Sequence, residues 1–238
     1  MDRRALAHAA RAVKRFYKAA SVGDGNIILL DGKPVRTPSR AELTLSNARL
    51  AEAVADEWNG QSETIDPRSM PLTGLANAAI DRVAPDPAAF AAGLAAYGES
   101  DLLYYRSEGP APFVARQTAL WDPILAWAQQ RYDVVFELAT GVVHMAQPDE
   151  TVARLGAAVA ARDPFALAGL SPLVTISGSL LIALAIAEGE LGVDKAWAAA
   201  ALDEQWQAEN WGEDAEAAAA LANRRADFAA AARFLSLL

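Results

Sequence analysis

The chain has 238 residues, over half of them apolar, enough for one large core or two modest ones. It has no cysteine, which excludes disulfides, thiol nucleophiles and cysteine-ligated metals and fits a reducing compartment. Thirty acids against 21 bases give a formal charge of −9, which disfavours a nucleic-acid partner, because such a partner calls for a basic stripe.

The opening segment MDRRALAHAARAVKRFYKAA is basic and acid-poor, the composition of a transit peptide. It has no obvious cleavage boundary, so it reads as a basic helix of the mature protein. NIILLDGKPVRTP forms two β-prone runs around Asp31-Gly32, a two-residue hairpin signal, and ELTL adds a short strand. Ser46 is expected to cap a helix with Leu50, Val54 and Trp58 on its apolar stripe. NGQSETIDPRSMPL reads as an extended loop, since Asp66 and Met70 both precede prolines.

After Thr73 the pattern turns helical. TGLANAAIDRVA is one expected helix, and Asp86-Pro87 starts the next with an N-cap acid before a proline. YGESDLLYYRSEGPAP is an ordered break, in which Asp101 and Arg106 are suited to pair and pin a turn. A long helix carries Leu120, Ile124, Trp127 and Tyr132. Within it Trp121-Asp122-Pro123 predicts a kink, with Asp122 capping a new segment. VVFELATGVVHM reads as a short hairpin or an extended excursion, and Asp149 caps a helix through Ala161.

LVTISGSLLIALAIA, residues 173–187, is strongly apolar. It falls short of the roughly 20 residues that span a bilayer, and Ser177, Gly178 and Ser179 interrupt it, so a helix buried in the protein is expected, without membrane insertion. Asp214 caps a final helix with Leu221, Phe228 and Leu235 seven residues apart. The expected class is α+β, with a small β-rich N-terminal domain over 1–70 and a larger, mainly helical domain over 71–238.

Catalytic chemistry finds little support. The two histidines, His8 and His144, stand in no HExxH, and TISGS is not the GxSxG of a nucleophile elbow. GDGN lacks the lysine and spacing of a phosphate loop. The acids lack EF-hand alternation, so no metal site is expected.

Five blocks then occur in order: ILLDGKPVRTP, EWNGQSETIDPRSMPLTGLANAAIDRV, ESDLLYYR, WDPILAW and EQWQAENWG. Together they resemble the assembly chaperones that act on the alpha subunit of the ATP synthase catalytic sector, a family of mitochondria and alphaproteobacteria. The resemblance implies a non-enzymatic chaperone that binds free alpha subunit, prevents its aggregation and yields it to the beta subunit, without a cofactor. It implies the cytoplasm in a bacterium or the mitochondrial matrix in a eukaryote. The competing classes are an enzyme with carboxylate acid/base chemistry and a permanent structural subunit. The hairpin residues Asp31 and Gly32 read as structural, and Met70, Pro71 and Leu72 as the docking point of the helical part. The family's critical acid falls in the last third, where Glu204 is the best match and Glu209 the second.

A helix over 196–210 ended by Gly212 would place Trp197, Ala201, Glu204, Ala208 and Trp211 on one stripe and Leu202 with Trp206 on another. Gln207 lies between them. A carboxylate between two tryptophans is costly without a partner, so Glu204 either pairs internally with Arg224 or Arg225 or receives a positive group of the client. The candidate client-binding set is therefore Trp197, Glu204, Gln207, Glu209 and Trp211.

Overall fold

The computed structural model describes residues 13–141, 143–212 and 214–238. Most of the basic opening segment, with His8, lies outside them. The first described element is β1, Val13–Lys14, followed by β2, Ala20–Val22, then β3, Ile28–Leu30, and β4, Lys33–Pro34. The last three form an antiparallel sheet in the order β2-β3-β4. Leu30 pairs with Lys33, so Asp31 and Gly32 make the two-residue turn. Both take positive φ, 48° and 79°, which Asp-Gly tolerates in such a turn. The Asp31 carboxylate also accepts the amides of Ala19 at 3.0 Å and Lys18 at 3.1 Å, and these hydrogen bonds hold its pKa below the usual range. ELTL contributes only isolated bridges, Ile27 to Thr44 and Arg36 to Glu42, yet buries Leu43 and Leu45.

Helix α1, Ala48–Asn59, is capped by Asn47, whose side chain accepts the Leu50 amide, rather than by Ser46. Asn47 is one residue closer, where its oxygen reaches the third helical amide. Strand β5, Thr64–Ile65, pairs back with β1. Helix α2, Pro71–Ala78, runs on through a π-turn at Ala79–Val83. Its N-terminus is capped from outside: the Glu57 carboxylate of α1 accepts the amides of Leu72 and Thr73, each at 2.8 Å. Met70 and Leu72 are buried, so the helical part docks at this point.

Helix α3, Pro87–Ala95, starts at the Asp86 cap as expected. The break that follows leads to β6, Tyr105–Arg106, and then to α4, Ala111–Tyr132. Pro123 sits inside α4 without ending it, and Asp122 caps nothing; its carboxylate instead pairs with Arg106 at 2.6 Å. The excursion after α4 is extended: β7, Ala139–Thr140, lies parallel to β6, which excludes a local hairpin. Helix α5, Asp149–Ala160, begins one residue earlier than a cap at Asp149 would allow, with Pro148 in the cap position.

The apolar run is two helices, α6, Pro164–Ser177, and α7, Leu180–Ala187. Gly178 takes φ 68° and closes α6, and Ser179 opens α7 by accepting the Ile182 amide at 3.0 Å. The acidic tryptophan-rich region is also two helices, α8, Val193–Ala200, and α9, Leu202–Trp211, with the chain turning at Ala201. Helix α10, Ala215–Ser236, closes the fold from its Asp214 cap.

Two buried clusters result. The N-terminal one joins Ile28, Leu43, Leu50 and Val54 to Leu72 of α2 and to Phe234 near the end of α10. The larger one packs Trp121, Leu155, Leu170, Leu181 and Phe228 among the helices. The class is α+β, with most strands near the N-terminus and helices beyond. Among the described residues no helix is long and apolar enough to cross a membrane.

Candidate functional site

Helix α9 stands out because of its ten residues only Leu202 is buried. Most of the first half of α10 is likewise exposed; Ala218 and Leu221 turn partly inward. The two helices meet at the Gly212 turn, where φ is 92°. Residues 202–216 hold six acids and no lysine or arginine, a strongly acidic stretch of the chain.

The break at Ala201 separates residues expected on one stripe. Trp197 belongs to the core: it is 6% exposed and packs its ring 5.5 Å from that of Phe228. It offers no surface to a partner and leaves the candidate set. The cause of the break lies in α4. The indole Nε1 of Trp121 donates to the Ala199 carbonyl at 2.9 Å. In an unbroken helix that carbonyl would accept the amide of residue 203. Two residues on, the Ala201 carbonyl accepts the Gln205 amide in the helical pattern.

The remaining candidates form a ridge between two depressions. On one side lies a cleft of about 560 Å³, bounded by α9, α4 and the segment 102–110. Tyr105, Arg106, Phe113, Trp121, Asp203 and Trp206 line it. On the other side lies an apolar groove of about 410 Å³ between α9 and α10, floored by Ala208, Ala217, Ala218 and Leu221. Gln207 and Trp211 border both. Trp211 is 77% exposed, a large apolar side chain left uncovered on the crest.

The acids on the ridge are held by cations at its flanks. Glu204 pairs with Arg224 of α10 at 2.7 Å, and both side chains are nearly half exposed. Of the two readings of Glu204, the pairing is with Arg224, but it is a surface pair; Arg225 instead reaches Asp194 at 3.1 Å. Glu209 pairs with Arg116 of α4 at 2.6 Å, and the Arg116 guanidinium lies 4.9 Å from the Trp206 ring centre. Asp203 faces the cleft. Partial desolvation there raises its pKa, and the neighbouring Glu204 charge adds to the rise.

The cleft wall is fixed by Asp101. Its carboxylate is fully buried and does not meet Arg106. It accepts the amide of Leu103 in its own segment and of Leu181 at the start of α7, both at 3.0 Å. Burial without a counter-ion pushes its pKa up to about 6, against the lowering effect of these hydrogen bonds. Arg106 turns the other way. It lies 5.3 Å from the Trp121 ring centre and binds Asp122. The Gly109–Pro110 peptide beside it is cis. The excursion that supplies β7 leaves Val135, Leu138, Val143 and Met145 exposed, and its Gly141 touches the cleft.

The sequence reading missed the contribution of α4. Phe113, Gln117 and Trp121 complete the cleft and Arg116 pairs with Glu209, but nothing local in FVARQTALW signals contacts to a helix about 90 residues away. Hairpin residues Asp31 and Gly32, and Pro71 at the start of α2, line neither the cleft nor the groove. Among the described residues no group of three or more His, Asp or Glu side chains is arranged to hold a metal. Chemically, the ridge offers one aromatic anchor, two apolar depressions and clustered carboxylates. That combination suits a protein surface that is apolar with a positive rim.

A family model described as ATP12 chaperone protein matches residues 14–129. The mitochondrial protein atp12 of Schizosaccharomyces pombe is 25% identical over 214 residues, which span 84% of this chain and 74% of that protein. The crystal structure of Atp12 from Paracoccus denitrificans matches with a TM-score of 0.89 at 40% identity, covering 94% of this chain and 98% of that one. A solved protein from Agrobacterium tumefaciens matches with a TM-score of 0.89 at 43% identity, over 94% and 85% of the two chains.

Proposed function

The chain belongs to the ATP12 chaperone family, and on that premise we propose that it is a non-enzymatic holdase for the free alpha subunit of the ATP synthase catalytic sector. It binds alpha, keeps it from aggregating and gives it up to the beta subunit during assembly. It works without a cofactor, in the cytoplasm of a bacterium or the matrix of a mitochondrion.

The observation that carries this reading is the α9 ridge. A free subunit exposes apolar surface that a neighbour later covers. A holdase needs a matching patch that is apolar enough to cover it and charged enough to let go. Trp211 supplies the anchor, the two depressions supply apolar floor, and Glu204, Glu209 and Gln207 supply polar contacts. Glu204 and Glu209 are each held by one exposed arginine, which a client cation can replace.

Glu204→Lys tests the reading. An exposed pair contributes about 0–1 kcal/mol, so the variant should melt close to wild type. Against the client it sets like charge on like charge and loses a pair, roughly 2–5 kcal/mol of affinity if the contact is desolvated. Suppression of alpha-subunit aggregation should therefore fall by at least tenfold. Wild-type complex should dissociate as beta subunit is titrated in. A variant that melts normally and still protects alpha, or a complex that beta cannot compete with at any concentration, would sink the proposal.

A further inference from the structure

One other surface has the character of a docking site, and it lies on the N-terminal sheet. A groove of about 440 Å³ has Phe16, Tyr17, Val35 and Trp58 among its lining residues, with Lys33 and Arg36 standing over it. Phe16 is 71% exposed and meets Tyr17 edge-on, at 5.5 Å between ring centres. The one acid on the groove, Asp31, already accepts the amides of Lys18 and Ala19. Tyr17 spends its hydroxyl on the Trp58 carbonyl at 2.6 Å. Trp58 Nε1 is buried and has no acceptor among the described residues, so no hydrogen bond anchors the indole ring. Arg36 is shared with exposed Glu42 at 3.3 Å, a long and weak pair. What the groove has left to offer is aromatic surface and positive charge.

The complementary chemistry stands on the same chain. Trp211 projects from the α9–α10 turn with Glu204, Glu209 and Asp214 close by in sequence, each exposed. We propose that the N-terminal groove receives the Trp211 corner of a second copy of this chain, the indole lying on Phe16 and Trp58 and the acids facing Lys33 and Arg36. The contact is heterologous, groove to corner. One aromatic side chain buries about 150–250 Å², far below the roughly 1,000 Å² of a lasting complex. The association is therefore weak, reversible and weakened by salt. Its consequence rests on the α9 reading above: a docked copy covers the client surface, so client and second copy compete for Trp211. The contact itself is independent of that reading.

Sedimentation velocity of the full chain over a range of concentrations tests it without any client. The weight-average sedimentation coefficient should rise with concentration at low salt and fall back when sodium chloride is added. Phe16→Asp and Arg36→Glu on the groove, and Trp211→Ala on the corner, should each weaken association about tenfold or more, the effect of removing an anchor. An equal mixture of Phe16→Asp and Trp211→Ala should associate better than either alone, because each supplies the face the other lacks. Phe16→Asp should still protect alpha subunit. A chain that stays monomeric at every concentration overturns the proposal, as does association that these variants leave unchanged. Loss of client protection in a monomeric Phe16→Asp would assign the groove to the client and overturn it too. Failure of Glu204→Lys to affect the client, with self-association intact and sensitive to Phe16, would leave this proposal standing and remove the other.

Discussion

Asp101 is an acid placed where charge is expensive. Its partners are the backbone amides of Leu103, Leu180 and Leu181 and the Ser179 hydroxyl, with no cation beside it among the described residues. The unfolded chain ionises it near 3.8 and the folded chain near 6. Between those values the folded state holds more protons, so this residue's contribution to stability falls as pH rises through the window, then levels off. Two pKa units correspond to about 3 kcal/mol. Denaturant titrations at a series of pH values should show wild type losing roughly that much relative to Asp101→Asn between about pH 4 and pH 6.5. A pH-independent difference would mean that the carboxylate is ionised throughout. The sequence pointed to Asp101 as ordered but paired it with Arg106, because opposite charges five residues apart are the simplest local solution. The actual partner amide, of Leu181, lies 80 residues on, and nothing near ESDLLYYR announces it.

Elements whose ends are set locally were legible. Asp31-Gly32, Asp86-Pro87 and Asp214 each carry their own turn or cap chemistry, and each acts where expected. The apolar run shows the intermediate case. Its Ser-Gly-Ser interruption was visible, but whether it ended a helix depended on backbone conformation. Gly178 sits at φ 68° with open space where a Cβ would point, so Gly178→Ala meets no clash and reports backbone strain alone. It should cost about 1–2 kcal/mol, a loss of roughly 2–8 °C in Tm. A variant with unchanged Tm would show that the junction shifts without cost. The break between α8 and α9 was not legible at all. Alanine at 201 favours helix, and the carbonyl that would have continued it is taken by an indole 78 residues away. With the helix broken there, Trp197 lies in the core and Glu204 at the surface, so the single stripe expected to hold both does not exist.

At the scale of the molecule, the N-terminal sheet and the helical part are joined at both ends of the helical sequence. Glu57 caps α2 on one side. On the other, Phe234 of α10 is buried in the N-terminal cluster, lies parallel at 6.3 Å to Phe165, which packs against both clusters, and is followed by Leu237, whose carbonyl accepts the Asn47 side chain. Phe234→Ala should cost about 3–5 kcal/mol, the range for a fully buried aromatic. Because Phe234 carries α10 of the helical part into the N-terminal cluster, thermal unfolding should stay a single transition in wild type and separate into two in the variant, resolved by calorimetry. A single transition at a lower temperature would mean that α2 alone keeps the parts coupled. The two-part layout was legible from the change in composition after Thr73; the return of α10 to the first part was not, since AAAARFLSLL looks like any alanine-rich helix end.

That return also orders events during translation. The Asn47–Leu237 contact spans 190 residues, and a ribosome adds about 5–20 residues per second. The first hairpin and α1 therefore wait roughly 10–40 seconds before the aromatic that finishes their core is made. Throughout that interval the nascent chain displays an incomplete apolar face at its leading end. A chaperone built this way spends its own synthesis as a candidate client of others.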